Sequence, residues 1–247
     1  MARAWPRVNA RQSDTDVGLR RAYPVDMRSG FVAALAVTVG MGMGADTPAL
    51  FERGSVPTLP VLSVEVGGGD VLLEVSVDRT GAVSGIRPLR DTATFTERMT
   101  RAVQTWRFTP SEADIPAARR KPGGPTTEAV DTKVLVAGVF RRPVIRGPTL
   151  GEPIRDVATA STDIPLPTSL VMPTSTGTEM SPGVVLVEVW VNASGGVSDA
   201  KVRVPSPGFD SAALGAARQW TFRPANTGGA NAPAVVYIVF GFPVPKV

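Results

Sequence analysis

The chain has 247 residues, of which 43% are apolar and 19% are charged, so it can bury the cores of two small domains. It contains no cysteine and no histidine, which excludes disulfide bonds, zinc sites of the usual type and catalytic triads that use either residue. Its net charge of +4 is uneven, because six arginines and three aspartates in residues 1–30 give +3 and the remaining 20 basic and 19 acidic groups give +1. The nearly neutral remainder predicts no nucleic-acid binding.

The first 49 residues form two segments of different composition. Residues 1–26 are polar and rich in arginine, and we expect them to be a disordered basic head. Residues 27–49 have a basic start, an apolar run over residues 31–44 and small residues after it, which is typical of a secretory signal peptide. The run is short for a membrane-spanning helix, which needs about 20 residues. An uncleaved membrane anchor and a buried core helix are the alternatives.

Two stretches of the chain repeat each other without a gap at a spacing of 114 positions. The first runs from Gly69 to Pro110 and the second from Gly183 to Pro224. A period of this length is too long for a solenoid, and it predicts two copies of one small domain. Aligned pairs include Val75 and Val189, Glu74 and Glu188, Gly81 and Gly195, Phe95 and Phe209, Trp106 and Trp220, and Phe108 and Phe222.

The first copy reads as strand, turn, strand, helix, loop and strand. Alternating apolar residues predict a strand over residues 71–77, and Gly81 suits the left-handed position of the turn before a return strand over residues 82–90. Thr94 and Glu97 have the spacing of a capping box at the start of a helix. Residues 111–132 are predicted to be a polar loop, and residues 133–140 a third strand.

The second copy follows a proline-rich linker over residues 144–164. It has strands predicted over residues 185–191 and 196–204, a short loop over residues 225–232 and a last strand from Val235 to Phe242 that is apolar on both faces. Phe140 and Phe240 near the ends of the third strands are 100 positions apart, so the first copy is expected to hold 14 extra residues. Six aromatic residues are predicted to form the structural core of the repeats: Phe95, Trp106, Phe108, Phe209, Trp220 and Phe222.

The predicted fold class is therefore α+β, with two β-β-α-β repeats. Each repeat would be a three-stranded antiparallel sheet with one helix on one face. The predicted domain boundaries are residues 56–143 for a diverged first domain and residues 165–247 for the second.

The second copy resembles the C-terminal domain of TonB-type energy transducers. The resemblance rests on GVVLVEVWVNASGGVSDA (183–200), on GFDSAA (208–213) and, most specifically, on RQWTFRPA (218–225). The first copy keeps Trp106, Phe108 and Pro110 but lacks the Phe-Asp-x-Ala-Ala start of the helix. The resemblance implies a non-enzymatic protein of the Gram-negative cell envelope, either periplasmic or anchored in the inner membrane and facing the periplasm. Contact with the membrane would be made only by residues 31–44 if they are uncleaved.

The resemblance also implies that an extended peptide, from an outer-membrane receptor or another envelope protein, adds as a strand to an exposed sheet edge. The uncharged last strand favours the same mode of binding. The expected peptide-binding edge is Val235, Val236, Tyr237, Ile238, Val239 and Phe240. The alternatives are an edge that is already paired, and a structural adaptor whose two copies pair with each other without energy transduction. A homodimer is left open.

No catalytic, cofactor or metal site is predicted. The glycine-rich runs at residues 40–44 and 67–69 do not follow a strand and open a helix, which nucleotide binding would require. Glu74 and Glu188 share a repeat position, and we expect them to be solvated or ion-paired. The family's membrane helix followed by a long spacer is not matched here, because the first copy begins about 25 residues after the apolar run. Coupling to a proton-driven motor is therefore not predicted.

Overall fold

The computed structural model describes residues 47–59, 68–141, 144–145, 151–175 and 181–243. The predicted basic head and most of the predicted signal segment lie outside these residues. The described part combines β-strands with two α-helices, which confirms the predicted α+β class. Neither helix of this part is long and apolar enough to cross a membrane.

The elements of the first part of the chain are β1 (Leu50–Arg53), β2 (Asp70–Val77), β3 (Val83–Arg90), α1 (Phe95–Val103), β4 (Arg107–Thr109), β5 (Ser111–Asp114), a 3₁₀ turn (Ala117–Arg119), β6 (Thr127–Val130) and β7 (Thr132–Val139). The elements that follow are β8 (Val144–Ile145), β9 (Glu152–Pro153), β10 (Leu166–Leu170), β11 (Thr174–Ser175), β12 (Gly183–Val191), β13 (Val197–Val204), α2 (Asp210–Ala217), β14 (Thr221–Arg223), β15 (Ala225–Thr227), β16 (Ala230–Ala232) and β17 (Ala234–Phe242).

Six strands form one central sheet in the order β13-β12-β17-β7-β2-β3. The first half of the sheet is β2, β3 and β7, and the second half is β12, β13 and β17. Neighbours within each half are antiparallel, whereas β7 and β17 pair in parallel and join the halves. The expectation of two separate three-stranded sheets is therefore wrong. The third strand of each half, β7 or β17, would have unpaired backbone groups at a free edge. The two strands satisfy these groups by pairing with each other.

The two helices cover opposite faces of this sheet. Phe95, Met99 and Val103 of α1 pack with Val71, Leu73 and Val75 of β2 in one core cluster. Ala213, Ala216 and Ala217 of α2 pack with Val185, Val187 and Val189 of β12 in the other. The parallel pairing of β7 with β17 explains why the helices lie on opposite faces. A two-fold rotation about an axis parallel to these strands superposes one half on the other. It keeps the direction of the strands but exchanges the two faces of the sheet.

In each half the helix covers one face of the sheet, and the opposite face is covered by another segment. That segment is the one that precedes the other half in the chain. The N-terminal arm (residues 47–59) lies on the second half, where Ala49 and Phe51 share a core cluster with Tyr237 and Val239. The linker (described over residues 151–164) lies on the first half, where Ile164 shares a core cluster with Leu72, Leu89 and Leu135. Each half therefore depends on a segment next to the other half for a complete core.

The two hairpin turns adopt the conformation that the glycines predict. Gly81 has φ 78° and Gly195 has φ 86°, which is the left-handed region. In each turn the glycine N–H donates to the carbonyl three residues earlier, Asp78 or Asn192, at 2.9 Å. These short hairpins set the register of β2 with β3 and of β12 with β13.

The start of α1 differs from the predicted capping box. Thr94 is the N-cap residue, but its φ is 71° and its side chain makes no capping hydrogen bond. Thr92 and Thr96 close the turn instead, because the Thr92 carbonyl accepts from Phe95 N–H (3.1 Å) and Thr96 N–H (3.0 Å). The Thr96 hydroxyl accepts from Thr92 N–H at 2.9 Å.

Candidate functional site

The predicted peptide-binding edge lies in the interior of the sheet. Strand β17 pairs with β12 over nine residue pairs from Gly183↔Phe242 to Val191↔Ala234, and on its other side with β7 from Val236↔Leu135 to Phe240↔Val139. The prediction of an exposed edge here is therefore wrong, because both sides of the strand are already hydrogen-bonded. The strand lacks charge because both of its faces are covered. All six residues are buried: Val235, Val236, Tyr237, Ile238, Val239 and Phe240.

The six aromatic residues assigned to the core lie where helix, arm and sheet meet. All six are at most 5% exposed: Phe95, Trp106, Phe108, Phe209, Trp220 and Phe222. Each indole N–H donates to a backbone carbonyl of the segment that leads into its own half, from Trp106 to Ser55 (2.8 Å) and from Trp220 to Val171 (3.1 Å). The tryptophans therefore fix the arm and the continuation of the linker rather than offer an open stacking surface.

Glu74 is a buried anchor for the linker. Its carboxylate accepts a hydrogen bond from Ser161 N–H at 2.9 Å and forms an ion pair with Arg87 at 2.8 Å. Lys133 Nζ lies 3.6 Å away, and Glu74 itself is 6% exposed. Burial alone would raise the pKa of Glu74, but the hydrogen bonds from Ser161 and Arg87 outweigh it and lower the pKa below its usual value. The expected ion pair is present, but in a buried position.

Glu188, at the same position of the second half, lies beneath the N-terminal arm. It is 2% exposed, and Arg203 Nε lies 3.7 Å from its Oε2, which accepts no hydrogen bond. The Arg203 guanidinium also donates to the Phe51 carbonyl of the arm. Arg203 therefore links the buried carboxylate, strand β13 and the arm.

Tyr237 of β17 also binds the arm. Its hydroxyl accepts from Phe51 N–H at 2.8 Å and donates to the Ala49 carbonyl at 2.9 Å. Burial, reinforced by the nearby charge of Glu188, raises the pKa of Tyr237 well above its ordinary value, so the hydroxyl stays protonated. Sequence reasoning assigned Tyr237 to a peptide-binding edge, whereas its hydroxyl binds a segment of the same chain.

A second buried carboxylate belongs to the first half alone. Asp70 at the start of β2 is 2% exposed and contacts Arg141, while Arg90 Nη2 lies 3.9 Å from its Oδ2. Arg141 also pairs with Glu152 of the linker. Burial raises the pKa of Asp70, and the charges of Arg141 and Arg90 offset this only in part. The aligned residue of the second half is Val184, so the repeat pattern gave no signal for this cluster.

One outer edge of the central sheet is protected. Strand β3 carries Pro88, which has no N–H to donate to an added strand. The linker also covers this edge, because Ala158 N–H donates to the Leu89 carbonyl at 2.7 Å and Arg87 donates to the Thr159 carbonyl at 2.9 Å. These features are typical of an edge that is closed to strand addition.

The other outer edge, strand β13, is open. Within the described residues, β13 pairs with β12 and with no other strand. Ala200 N–H of this strand donates to the side chain of its neighbour Asp199 at 2.8 Å. Val202 occupies the position of Pro88, since it faces Val187 as Pro88 faces Leu73. At this position the open edge therefore has a backbone N–H that the protected edge lacks.

The described part of the chain contains no group of three or more acidic residues placed to hold a metal ion. Its buried carboxylates Glu74, Asp70 and Glu188 each lie beside an arginine, and Glu74 also accepts a hydrogen bond from the linker. Among the described residues, the central sheet has one outer edge that is open, β13, beside the arm that Arg203 and Tyr237 bind.

Comparison with known families gives one match. Residues 179–242 match the family model described as Gram-negative bacterial TonB protein C-terminal. No curated protein and no solved structure matches the chain. The matched segment begins shortly before β12 and ends with β17, so it covers the second half of the sheet. The match supports one TonB C-terminal domain in this chain, at residues 179–242.

Proposed function

We propose that the chain carries two copies of one TonB C-terminal-like domain, fused into a single sheet. The proposal is supported by contacts of the first half, which lies outside the matched segment, that are equivalent to contacts of the second half. Phe108 N–H donates to the Gly81 carbonyl at 2.8 Å, as Phe222 N–H donates to the Gly195 carbonyl at 2.8 Å. The strand after each helix pairs antiparallel with the segment that leads into its own half, β4 with β1 and β14 with β10.

The function that we propose is non-enzymatic binding of a protein partner at the cell envelope, on the periplasmic side. The family match supports a TonB-like envelope protein. The partner is an extended segment of an outer-membrane receptor or another envelope protein, and it binds by strand addition at β13. The observation that carries this proposal is that β13 is a strand of the central sheet with one strand neighbour, while the edge at β3 has Pro88 and the linker. Backbone hydrogen bonds would supply affinity, and the side chains that alternate along the edge would supply specificity.

An amide titration tests this function directly. The labelled full chain is titrated with a synthetic peptide of the N-terminal segment of a TonB-dependent outer-membrane receptor. We expect shifts in the amides of Val197–Val204 and none in Val235–Phe240. An absence of shifts throughout the chain would reject peptide binding.

A proline exchange between the two edges gives a matched pair of variants. Val202→Pro places in β13 the residue that β3 already has at the same position, so the sheet should tolerate it while the edge is closed. Pro88→Val is the control, because it changes the edge that the linker covers. We expect Val202→Pro to abolish peptide binding and Pro88→Val to preserve it, with both variants folded. Unchanged binding by Val202→Pro would reject β13 as the site.

A second candidate function is a structural adaptor whose two halves pair with each other, without energy transduction. It is favoured by the parallel pairing of β7 with β17, which occupies the third-strand edge. The chain has no cysteine, so Leu135→Cys with Val236→Cys can introduce one disulfide between facing positions of these strands. Peptide binding that survives this bond occurs without opening the junction and supports the site at β13. Binding that is lost on oxidation and restored on reduction would assign the site to the third strands.

A further inference from the structure

The hairpin formed by β5 and β6 differs most between the two halves. Its strands pair in register from Ser111↔Val130 to Asp114↔Thr127, and twelve residues (115–126) connect them. The corresponding hairpin of the second half, β15 with β16, is connected by the two residues 228–229. The sequence predicted a structureless polar loop in this region, so the extended hairpin is an addition to the first half that the shared fold does not require.

The connection of this hairpin carries a concentrated positive charge. Arg119, Arg120 and Lys121, called the basic tip here, are consecutive, and residues 115–126 contain no acidic residue. Every residue from 116 to 126 is exposed. The acidic residues of the hairpin lie on its strands, at Glu112, Asp114 and Glu128. The charges are therefore separated along the hairpin, with the positive end at the tip.

Local hydrogen bonds give the basic tip a defined shape. The 3₁₀ turn closes with Arg119 N–H donating to the Pro116 carbonyl at 2.8 Å, and Gly124 N–H donates to the Lys121 carbonyl at 3.0 Å. Arg120 Nε donates to the Ile115 carbonyl at 2.7 Å. Arg119 forms an ion pair with Glu128 at 3.3 Å, but both side chains are largely exposed, and such a pair exchanges readily for another anion.

The chain enters the described fold beside this hairpin. Thr47 and Glu112 form an antiparallel bridge with N–H to carbonyl distances of 2.8 and 3.0 Å, and the Ser111 hydroxyl donates to the Thr47 carbonyl at 2.8 Å. Strand β5 runs toward the tip, so the described segment that begins at Thr47, antiparallel to β5, runs away from the tip. The preceding sequence contains the apolar run of residues 31–44. The first described residue of the arm is therefore fixed to the hairpin that carries the basic tip.

We propose that the basic tip is a membrane contact that binds the anionic headgroups of phospholipids. A fully exposed tip that has three consecutive cations and no large apolar side chain in residues 116–126 suits an extended charged surface better than a single peptide. Each cation near an anionic bilayer increases affinity by about fivefold, so three cations give on the order of 100-fold. Contact at the tip would set the orientation of the sheet toward the membrane, independently of any peptide bound at β13.

Vesicle sedimentation with the full chain tests this contact. We compare vesicles of phosphatidylcholine alone with vesicles that also contain phosphatidylglycerol, at low and high salt. The wild-type chain should bind the anionic vesicles more tightly, and the binding should weaken with salt. Combined Arg119→Gln, Arg120→Gln and Lys121→Gln should lower the affinity for anionic vesicles by on the order of 100-fold.

A charge-matched variant separates the tip from the total charge, including that of the arginine-rich head. It combines Arg155→Gln, Arg218→Gln and Arg223→Gln, three exposed arginines on other surfaces. We expect it to bind nearly as well as the wild type, and both triple variants to keep the wild-type thermal unfolding temperature. Equal loss in the two triple variants, or wild-type binding by the tip variant, would overturn the proposal. Soluble polyglutamate is added as a competitor of vesicle binding. If it binds the tip as tightly as anionic vesicles of equal total charge do, the tip is assigned to an acidic protein, and the membrane proposal is overturned.

Discussion

The hydroxyl group of Tyr237 donates a hydrogen bond to the carbonyl oxygen of Ala49 across 188 positions of the chain, at a distance of 2.9 Å. The same hydroxyl accepts from Phe51 N–H, so one side chain of the last strand binds two backbone groups of the N-terminal arm. Phe51 in turn packs edge-on against Trp106 of the first half, with ring centroids 5.0 Å apart. Tyr237 therefore connects the two halves through the arm as well as through the sheet.

Tyr237→Phe should destabilise the protein although it removes a single oxygen atom. The change leaves the Ala49 carbonyl and the Phe51 N–H without this partner in a buried site, at a cost of about 2–4 kcal/mol in the free energy of unfolding. Urea unfolding followed by tryptophan fluorescence measures this loss. Thr168→Val is the control, because it removes an exposed hydroxyl that pairs with Thr221 at 2.9 Å, and we expect a change within about 0.5 kcal/mol. Equal stability of Tyr237→Phe and the wild type would contradict the assigned role.

Glu74 should make the fold sensitive to acid. Its pKa in the folded protein lies below its ordinary value of 4.5, so the folded state binds fewer protons than the unfolded state. The stability that it contributes is full above pH 4.5 and is lost as the pH falls through the folded pKa. Glu74→Gln should therefore flatten this acid-side loss in a series of urea midpoints against pH. An unchanged acid limb would show that other carboxylates cause it.

Asp70 should act with the opposite sign. Its pKa is raised above 3.8 in the folded protein, so the folded state binds more protons over this window. The corresponding stability is full below pH 3.8 and declines as the pH rises through the folded pKa. Asp70→Asn removes a titrating carboxylate from a buried site. As the pH rises, the urea midpoint of this variant should therefore increase relative to that of the wild type. A constant difference across the pH series would refute this assignment.

Gly195→Ala should be far more damaging than Gly208→Ala. Both glycines have a left-handed φ, 86° and 89°, so the two substitutions share the cost of backbone strain, about 1–2 kcal/mol. A Cβ at Gly195 would lie 1.9 Å from the Phe222 carbonyl oxygen, whereas a Cβ at Gly208 meets nothing within 4 Å. We expect about 1 kcal/mol for Gly208→Ala and more than about 3 kcal/mol for Gly195→Ala from thermal unfolding. Similar losses in both variants would mean that the backbone at Phe222 moves freely.

Local patterns predicted most strands of the central sheet but not the pairing of the third strands. Alternation identifies β2 because one of its faces is more apolar than the other, and the left-handed glycines fix the hairpin that follows. Strand β17 is apolar on both faces, so its sequence does not distinguish an exposed edge from a fully covered central strand. The partner on its second side lies about 100 positions earlier, and no local signal identifies it.

The same lack of alternation led to an error in the alignment of the third strands. Matching Phe140 with Phe240 gave a spacing of 100, but Glu74 faces Leu135 and Glu188 faces Tyr237, so equivalent positions differ by 237 − 135 = 102. The first half therefore holds 114 − 102 = 12 extra residues rather than 14. The aromatic contacts agree, because Phe95 stacks on Phe140 at 4.9 Å and Phe209 meets Phe242 at 4.4 Å. A run of apolar residues allows either register, and only the cross-strand partners decide.

The candidate site was harder to predict than the fold. Two features distinguish the open edge at β13 from the edge at β3: the linker covers only β3, and β3 has Pro88 where β13 has Val202. The position of the linker is a tertiary feature that local sequence does not show. The proline contrast is visible in the aligned repeats and was the one sequence signal that could have separated the two edges. The Asp70 cluster has no counterpart in the second half, so a comparison of the repeats could not reveal it.

The position of β17 has a consequence for the order in which the protein is made. Of the six strands of the central sheet this one is synthesised last, yet it lies between β7 and β12 and supplies the tyrosine that binds the arm. Until it emerges, β7 has an unpaired apolar side, β12 lacks one neighbour and the arm has no hydroxyl to bind. Before β17 emerges, the nascent sheet is thus exposed to aggregation, and a variant that lacks this strand would be affected in both halves at once. Late insertion of a central strand also gives the fold many contacts between distant parts of the chain, which is typical of slow folding.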